Sequence, residues 1–577
     1  MNAKEFFQRG VIFLTKFKDY YAAITDFDQA IKINPGFAEA YCNRGEARYL
    51  LGDYEGAIAD YDQAIQINPH SSLSYHSRGR AYLALENYDQ AIGNYQQAIE
   101  TTTHPANVYY IDIATALHNR GVALCNRGDY QGAIADFDQA IQWHPYFAPA
   151  YSSRGNISYI LGEYQQAIAH HNRALQLNPN LAAAYHNRGN AHYELGNNQE
   201  AIEDYNQALQ INPNFAEAYY NRGLVYSRLK NFPQAIADFN QALTLNPDDL
   251  QAYSQRGLVR ETLGDYYGSL KDYSQALQKN PTLASVYSLR ANVRRWLADY
   301  QGAIDDCNQA IKLHPRLAQA YCYRAAARHG QGDYQGAIED YTMALEIDGN
   351  SAEAYCGRAI THQILQNFSD AVADNTQAIN FVPQFSSAYC NRGNAHRLLG
   401  EENKAMADYD QALEINPDLI EAYYNRAGLR YALNDYQGAI ADYTQAVQRN
   451  QKSATFYRDR AQARYALEDY QGAREDYTQA LAIDSTNAED WYNRGRSLAM
   501  LGELTAGLAD LNQALQRQPL WALAYMLRAD VRLRLKDYPG AIADFQTSAD
   551  IYNREGNIQY YQHMLGAIAE VESLYQK

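Results

Sequence analysis

A unit of 34 residues repeats along this chain almost from end to end. In the block from Ala216 to Asp249 it reads AEAYYNRGLVYSRLKNFPQAIADFNQALTLNPDD, and the next block starts at Leu250. Sixteen copies align between Ala3 and Glu555. Self-similarity at a fixed period predicts an array of stacked units, each touching mainly its neighbours, in place of a single closed core.

Each unit has the pattern of two helices. With Ala216 as position 1, apolar or aromatic residues recur at positions 1, 3, 4, 8 and 10, and again at 20, 21, 24 and 27, which follows a 3.6-residue period. Position 8 is glycine or another small residue, as at Gly189, which predicts a close helix crossing. Gly52 and Asp53, at positions 15 and 16, predict the end of one helix and the N-cap of the next. Proline at position 32, such as Pro213, separates the units.

This order of helix, tight turn, helix and turn, with small and aromatic residues at fixed positions, resembles the tetratricopeptide repeat. The resemblance implies an all-α fold, a right-handed α–α superhelix (a TPR solenoid) of about two superhelical turns, whose first helices line a concave groove. We expect repeats 1–3 over residues 3–105, an insertion extending a helix over 106–113, repeats 4–16 over 114–555 and a capping helix over 556–577.

A series of charges follows the repeat. Position 7 is arginine in all sixteen copies, and position 23 is aspartate in fourteen, the exceptions being Asn94 and His170. We call this pattern the Arg–Asp ladder. It predicts a pair that bridges the two helices of a unit or two neighbouring units, and it favours a packing role over a track for acidic ligands. Seven copies add a second arginine at position 11, such as Arg48, which needs acids nearby because like charges at i, i+4 repel.

The resemblance places positions 2, 5, 6, 9, 12 and 13 towards the groove. A row of asparagines at position 6 is similar to the asparagine ladder of O-linked N-acetylglucosamine transferases, and amides can both donate to and accept from an extended peptide. Position 9 continues the polar lining, and tyrosines at position 5 offer broad contacts. Acids at position 2 would favour basic peptides or form a solvated face. The candidate peptide-binding residues are Asn43, Asn119, Asn187, Asn221, Asn391, Asn425, Asn493, Asn156, Asn190, Tyr220, Tyr424 and Tyr492.

The period breaks between the third and fourth copies. Eight extra residues, 106–113, can continue upward as helix and carry Val108, Tyr109, Tyr110 and Ile111 beyond the stack. These four residues form either a hydrophobic contact for a partner or a cover that packs on the preceding TTTH loop.

Composition narrows the function. The net charge of −17 argues against binding nucleic acid or an anionic membrane surface. We expect no signal peptide, because the N-terminus MNAKEFFQRG has no basic segment followed by an apolar run, and no membrane insertion, because no apolar run approaches 18 residues. The six cysteines lack metal-ligand spacing and fit a reducing cytoplasm, so we predict no metal and no cofactor.

The sequence contains no phosphate loop, nucleophile elbow or zinc motif, so we predict that the chain is not an enzyme. We expect a scaffold that binds extended peptides or partner proteins in its groove, with a monomer favoured. The alternative is a substrate-presenting subunit of a separate enzyme, such as a transferase or secretion machinery. A self-associating array is a third possibility, since the repeats are so alike.

Overall fold

The computed structural model describes residues 1–576 and confirms an all-α chain. Within those residues there are 33 α-helices, one π-helical segment at Phe13–Phe17, and no strand. The helices form two compact units, Met1–Pro281 and Thr282–Lys577, and each is described separately.

The first unit contains the eight helix pairs of repeats 1–8, and the odd-numbered helix is the first of each pair. The bounds are α1 (Ala3–Ile12), α2 (Tyr20–Ile33), α3 (Ala38–Leu50), α4 (Tyr54–Ile67), α5 (Ser72–Ala84), α6 (Tyr88–Glu100), α7 (Asn107–Asn126), α8 (Tyr130–Trp143), α9 (Ala148–Ile160), α10 (Tyr164–Leu177), α11 (Ala182–Glu194), α12 (Asn198–Ile211), α13 (Ala216–Arg228), α14 (Phe232–Leu245), α15 (Leu250–Thr262) and α16 (Tyr266–Lys279).

The second unit contains repeats 9–16 and a final helix. The bounds are α17 (Ala284–Trp296), α18 (Tyr300–Leu313), α19 (Ala318–Gln331), α20 (Tyr334–Ile347), α21 (Ala352–Ile364), α22 (Phe368–Phe381), α23 (Ser386–Leu398), α24 (Glu402–Ile415), α25 (Ile420–Ala432), α26 (Tyr436–Arg449), α27 (Ala454–Ala466), α28 (Tyr470–Ile483), α29 (Ala488–Met500), α30 (Leu504–Arg517), α31 (Ala522–Arg534), α32 (Tyr538–Arg554) and α33 (Ile558–Tyr575).

The turn inside each repeat follows from its sequence. Gly52 adopts φ +82°, the left-handed conformation that ends a helix, and the Asp53 carboxylate accepts a hydrogen bond from the backbone N–H of Gly56 at 3.0 Å. Several repeats place a side chain where others have this glycine, and Lys230 adopts φ 58° there. Such a residue bears a steric cost that glycine avoids.

Close crossing of the two helices depends on the small residue at position 8. A Cβ atom added at Gly189 would lie 2.9 Å from the ring of Tyr205, which is position 24 of the same repeat and is almost fully buried. The close helix crossing predicted from the small residue at position 8 is therefore confirmed in this repeat, where the glycine packs against an aromatic ring.

The final helix packs on the last repeat. Met564, Ile568 and Val571 of α33 are buried in one cluster with Phe545 and Tyr552 of α32. Residue 577, the end of the segment expected to cap the array, lies outside the described residues.

The break after repeat 3 lengthens one helix and shifts the stack. Helix α7 has 20 residues, against 13 in its neighbours α5 and α9. In regular repeats position 5 contacts position 6 of the next repeat, as where His118 Nε2 lies 2.9 Å from Ser153 Oγ. At the break His76 Nε2 lies 2.6 Å from Asp112 Oδ2, and Asp112 precedes position 6, Asn119, by seven residues. Repeat 4 is therefore displaced by two helical turns, about 10 Å.

A second contact shows the same displacement. In regular repeats the arginine at position 7 contacts position 25 of the preceding repeat, as Arg222 contacts Asn206. At the break Arg120 Nη1 donates instead to Asp89 Oδ1 at 2.6 Å, and Asp89 precedes position 25 of its repeat, Gln96, by seven residues. The shift opens a polar cleft of about 830 Å³ between the α5–α6 turn and the second half of α7, where Arg127 is exposed.

Candidate functional site

The first helices form the inner surface of each unit. Successive first helices touch one another, as α3 touches α5 and α11 touches α13 in the first unit and α21 touches α23 in the second. Second helices make no comparably extensive contacts with each other in the part of the chain that the structure describes. Each stack therefore curves towards its first helices, and positions 6, 9 and 12 lie on that side.

The Arg–Asp ladder fastens the wall of this surface. Arg222 donates from Nε and Nη2 to the buried carboxylate of Asp238, at 2.8 and 2.7 Å, and from Nη1 to Asn206 Oδ1 of the preceding repeat at 2.5 Å. One guanidinium thus bridges the helices of its own unit and also holds the neighbouring unit. Its donors are committed to internal acceptors, which supports the packing role.

The hydrogen bonds of the ladder also change the pKa of its arginines. The side-chain hydrogen bonds that Arg358 donates to the Asp374 carboxylate raise the pKa of Arg358 above its ordinary value, against the lowering effect of burial. The second arginine of a repeat adds to the carboxylate from another side. Arg48 Nη1 donates to Asp60 Oδ2 at 2.9 Å and to the backbone oxygen of Gly56 at 3.2 Å. The acid that the second arginine was expected to need is therefore Asp60 in this repeat.

Repeat 5 lacks the acid of the ladder. Arg154 there has only an Nε contact of 3.3 Å to the exposed Asp138 and an Nη1 hydrogen bond of 3.1 Å to Ser158 Oγ. The next residue after His170, His171, is fully buried with neither ring nitrogen hydrogen-bonded, and burial lowers its pKa to about 4.

Four of the predicted groove asparagines form a network in the first unit. Asn187 Nδ2 donates to Asn156 Oδ1 at 2.8 Å, and Asn221 Nδ2 donates to Asn190 Oδ1 at 3.0 Å. Each bond joins position 6 of one repeat to position 9 of the repeat before. The Tyr205 hydroxyl, on the second helix of the same repeat, also donates to Asn190 Oδ1 at 2.7 Å and helps to fix the orientation of that amide.

The other position 6 asparagines have different partners and are not joined in one row. Asn43 donates to a backbone oxygen of its own helix, and Asn119 lies beside His118. Asn391 and Asn425 donate to the sulfur atoms of Cys356 and Cys390, at 3.3 and 3.6 Å. Asn493 lines a separate concavity. All of these amides are half-buried on the first helices.

Two concavities lie at the same phase of the repeat. In the first unit, Asn156, Tyr159, Ile160, Asn187 and Asn190 surround about 220 Å³. In the second unit the corresponding space of about 630 Å³ is lined by ten residues of repeats 13–15, namely Tyr431, Tyr436, Gln462, Tyr465, Ala466, Glu468, Tyr470, Tyr477, Asn493 and Arg496. Positions 6, 9 and 12 of adjacent repeats thus create a recurring recess.

The tyrosines at position 5 are largely used for packing. Tyr220 lies against Phe239 with ring centroids 5.9 Å apart, and Tyr492 lies against Trp521 at 4.6 Å. Tyr424 packs on Phe456 at 5.0 Å, and its hydroxyl donates to Asp459 at 2.8 Å. Burial raises the pKa of Tyr424 to about 12. Their aromatic faces are therefore less available to a ligand than the sequence suggested.

The segment before repeat 4 does not project as one apolar patch. Tyr109 is buried against the ring of His76, with centroids 4.5 Å apart, and Tyr110 lies 6.2 Å from Trp143. Only Val108 and Ile111 of the four are exposed, at 44% and 41%. The prediction that all four lie beyond the stack is wrong for the two tyrosines, because Tyr109 packs on His76 of the earlier helix α5 and Tyr110 lies beside Trp143 of α8.

Sequence reasoning missed a set of tyrosine pairs. Four repeats carry tyrosine at both position 12 and position 17, and the two rings meet at the turn with centroids 5.0–5.5 Å apart. The signal was the shared spacing of five residues. These pairs are Tyr49–Tyr54, Tyr159–Tyr164, Tyr431–Tyr436 and Tyr465–Tyr470.

The cysteines and other candidate metal ligands form no metal site in the part of the chain that the structure describes. Residues 1–576 contain no group of three side chains suited to a metal, and no helix among them is both long and apolar enough to cross a bilayer. Burial raises the pKa of Cys307 and Cys322 to about 12, so these thiols stay protonated at neutral pH.

Sequence profiles of one family match most of the chain, and the chain belongs to the tetratricopeptide repeat family. Profiles described as TPR repeat match residues 16–52, 155–196, 189–230 and 461–502. Profiles described as Tetratricopeptide repeat match residues 38–71, 60–100, 114–147, 216–249, 318–351, 386–419, 420–453 and 492–555. Stacked repeats of this kind present extended surfaces that are typical of protein–protein interaction.

Several solved structures are similar to this chain. One from the APC/C hetero-tetramer Cut9–Hcn1 is 15% identical, covering 85% of this chain and 96% of its own, with a TM-score of 0.39. Yeast Tom70 is 18% identical, covering 74% and 96%, with a TM-score of 0.30. YrrB, described as a TPR protein with an unusual peptide-binding site, is 23% identical, covering 32% and 95%, with a TM-score of 0.29. Among curated protein sequences, none matches this chain.

Proposed function

We propose that this chain is a non-catalytic scaffold whose first-helix surface binds an extended peptide segment of a partner protein. The observation that carries the proposal is the amide network of repeats 5–7, where Asn187 bonds Asn156 and Asn221 bonds Asn190 beside an open recess. The internal bonds orient these amides before a ligand arrives, which lowers the entropic cost of binding. An amide reads the peptide backbone and not its sequence, so the shape of the recess supplies the selectivity.

Charge adds a preference for basic segments. Glu39, Glu217 and Glu421, at position 2 of three first helices, are exposed. The whole chain carries a net charge of −17, which attracts a cationic partner and repels nucleic acid.

The free cysteines bear on location. All six are unpaired, and four of them are buried. Unpaired thiols in this number support a reducing cytoplasm, and we propose that the chain acts there as a monomer.

The test is selection of a displayed peptide library on the full-length protein, followed by calorimetric titration of the selected peptides. We expect the double variant Asn187→Ala, Asn221→Ala to bind at least about tenfold more weakly, corresponding to about 1.4 kcal/mol. The matched control is Asn391→Ala with Asn425→Ala, which changes the same position where the amides contact cysteine sulfur atoms. Equal weakening in both double variants, or a library without binders, would contradict the proposal.

A further inference from the structure

Five tyrosines occupy position 12 of the repeat, and three of them hold an arginine of the same chain on the ring face. The guanidinium carbon of Arg80 lies 4.5 Å from the Tyr49 ring centroid, and the carbon of Arg496 lies 4.1 Å from Tyr465. Both arginines stand at position 9 of the following repeat. The third pair, Arg228 on Tyr193, has a distance of 3.5 Å and comes from position 13. This phase of the repeat is therefore shaped to hold a cation against an aromatic face.

The other two tyrosines, Tyr159 and Tyr431, have no internal cation on the ring. Across residues 1–576 no arginine or lysine lies over either one. The residue at position 9 of the following repeat is Asn190 in one case and Gln462 in the other. A neutral amide thus stands where repeats 3 and 15 place a guanidinium.

Tyr159 also has the charge that a cation needs. Its hydroxyl donates to the carboxylate of the exposed Glu194 at 3.4 Å, and its ring lines the recess formed by Asn156, Asn187 and Asn190. The filled site on Tyr49 also includes an acid, because Arg80 Nη1 lies 3.4 Å from the carboxylate of Glu46. Glu46 belongs to the same repeat as Tyr49, whereas Glu194 belongs to the repeat after Tyr159.

Tyr431 is less suited than Tyr159, since Arg496 lines the same concavity and its charge repels a second cation. The two tyrosines therefore differ in a way that an experiment can detect.

We propose that the face of Tyr159 receives the guanidinium or ammonium group of an arginine or lysine side chain in the bound peptide. The ligand cation takes the place that Arg80 occupies on Tyr49, with Glu194 as its counter-charge. This inference rests on the proposed binding of peptides to the first-helix surface, and it makes that surface selective for basic segments.

The probe is a pair of synthetic ten-residue peptide libraries built from glycine, serine, alanine and asparagine, with one central arginine or its neutral isostere citrulline. Both are mixed, passed over the immobilised full-length chain, and quantified by mass spectrometry. We expect about fivefold enrichment of arginine over citrulline, falling to about one in Tyr159→Leu and kept in Tyr159→Phe. Glu194→Gln should lower the enrichment as well.

Two control variants use the filled site. Tyr49→Leu should leave the enrichment unchanged, because Arg80 already covers that ring. Arg80→Ala in the Tyr159→Leu background exposes the ring of Tyr49 and should restore part of the enrichment.

The outcomes separate the two proposals. Retention of both libraries with an enrichment near one overturns the cation site and leaves peptide binding intact. Loss of enrichment in Tyr49→Leu as large as in Tyr159→Leu also overturns the site. If neither library is retained by the unaltered protein, both proposals fall.

Discussion

Replacing the arginine of the ladder should cost far more stability in repeat 7 than in repeat 5. Arg222→Met removes both donors from the carboxylate of Asp238, which is only 6% exposed, and an unpaired charge at such a site costs about 3–5 kcal/mol. Arg154→Met removes only a 3.3 Å contact to the exposed Asp138 and one bond to Ser158. Loss of an exposed pair costs about 0–1 kcal/mol.

The difference of about 3 kcal/mol corresponds to a factor of about 150 in the local opening equilibrium. Hydrogen–deuterium exchange read by mass spectrometry suits a repeat array, because it reports each helix pair without assuming one global transition. We compare the increase in exchange rate of each variant over the unaltered protein. This increase should be larger by that factor for peptides from α13 and α14 in Arg222→Met than for peptides from α9 and α10 in Arg154→Met.

A double variant checks the cause of the loss. Arg222→Met with Asp238→Leu removes the charge pair altogether, so most of the protection should return. Equal acceleration in the two single variants would refute the same-unit pairing, and a double variant as exposed as Arg222→Met would show that packing and not charge is responsible.

Four further substitutions test other features. His171→Phe should stabilise repeat 5 by about 1–3 kcal/mol, since it removes two buried nitrogens without partners. Burial lowers the pKa of His171 from the ordinary 6.5 to about 4, so the unfolded chain binds the proton at a higher pH than the folded chain does. The stability of the unaltered protein should therefore fall as the pH drops from 6.5 to about 4. Thermal melts of His171→Phe should lack that part of the pH dependence. Lys230→Gly should stabilise its turn by up to about 1 kcal/mol and Gly196→Ala should destabilise by a similar amount, measured as shifts in chemical denaturation. Asp112→Ala should speed exchange in the first turns of α7 by removing the bond to His76, and unchanged exchange there would contradict the shifted register.

Most of the fold was predictable because its determinants are local. The Gly52–Asp53 turn and the small residue under each ring act within one repeat, and the sixteen copies repeat that information. The two fixed positions predicted an Arg–Asp pair but left open whether it lies within one unit or between neighbouring units, and the structure shows Arg222 paired with Asp238 of its own unit.

The rest depends on contacts between repeats. The eight extra residues were visible, but the seven-residue shift depends on His76 meeting Asp112, which no local pattern records. The sequence indicated even less about the tyrosines at position 12. Whether an internal arginine covers the face of such a ring depends on one residue in the next repeat, such as Asn190 beside Tyr159. Departures between repeats are therefore harder to predict than the repeated fold that carries them.

The order of the two ladder residues along the chain matters for biosynthesis. Arg222 is translated before Asp238, and its remaining donor reaches back to Asn206, which has already been made. As the chain leaves the ribosome, a newly completed helix pair has its buried acid neutralised and can dock on the pair before it. Because the arginine partner precedes the aspartate in the chain, the carboxylate of Asp238 can be paired as soon as its own helix is synthesised.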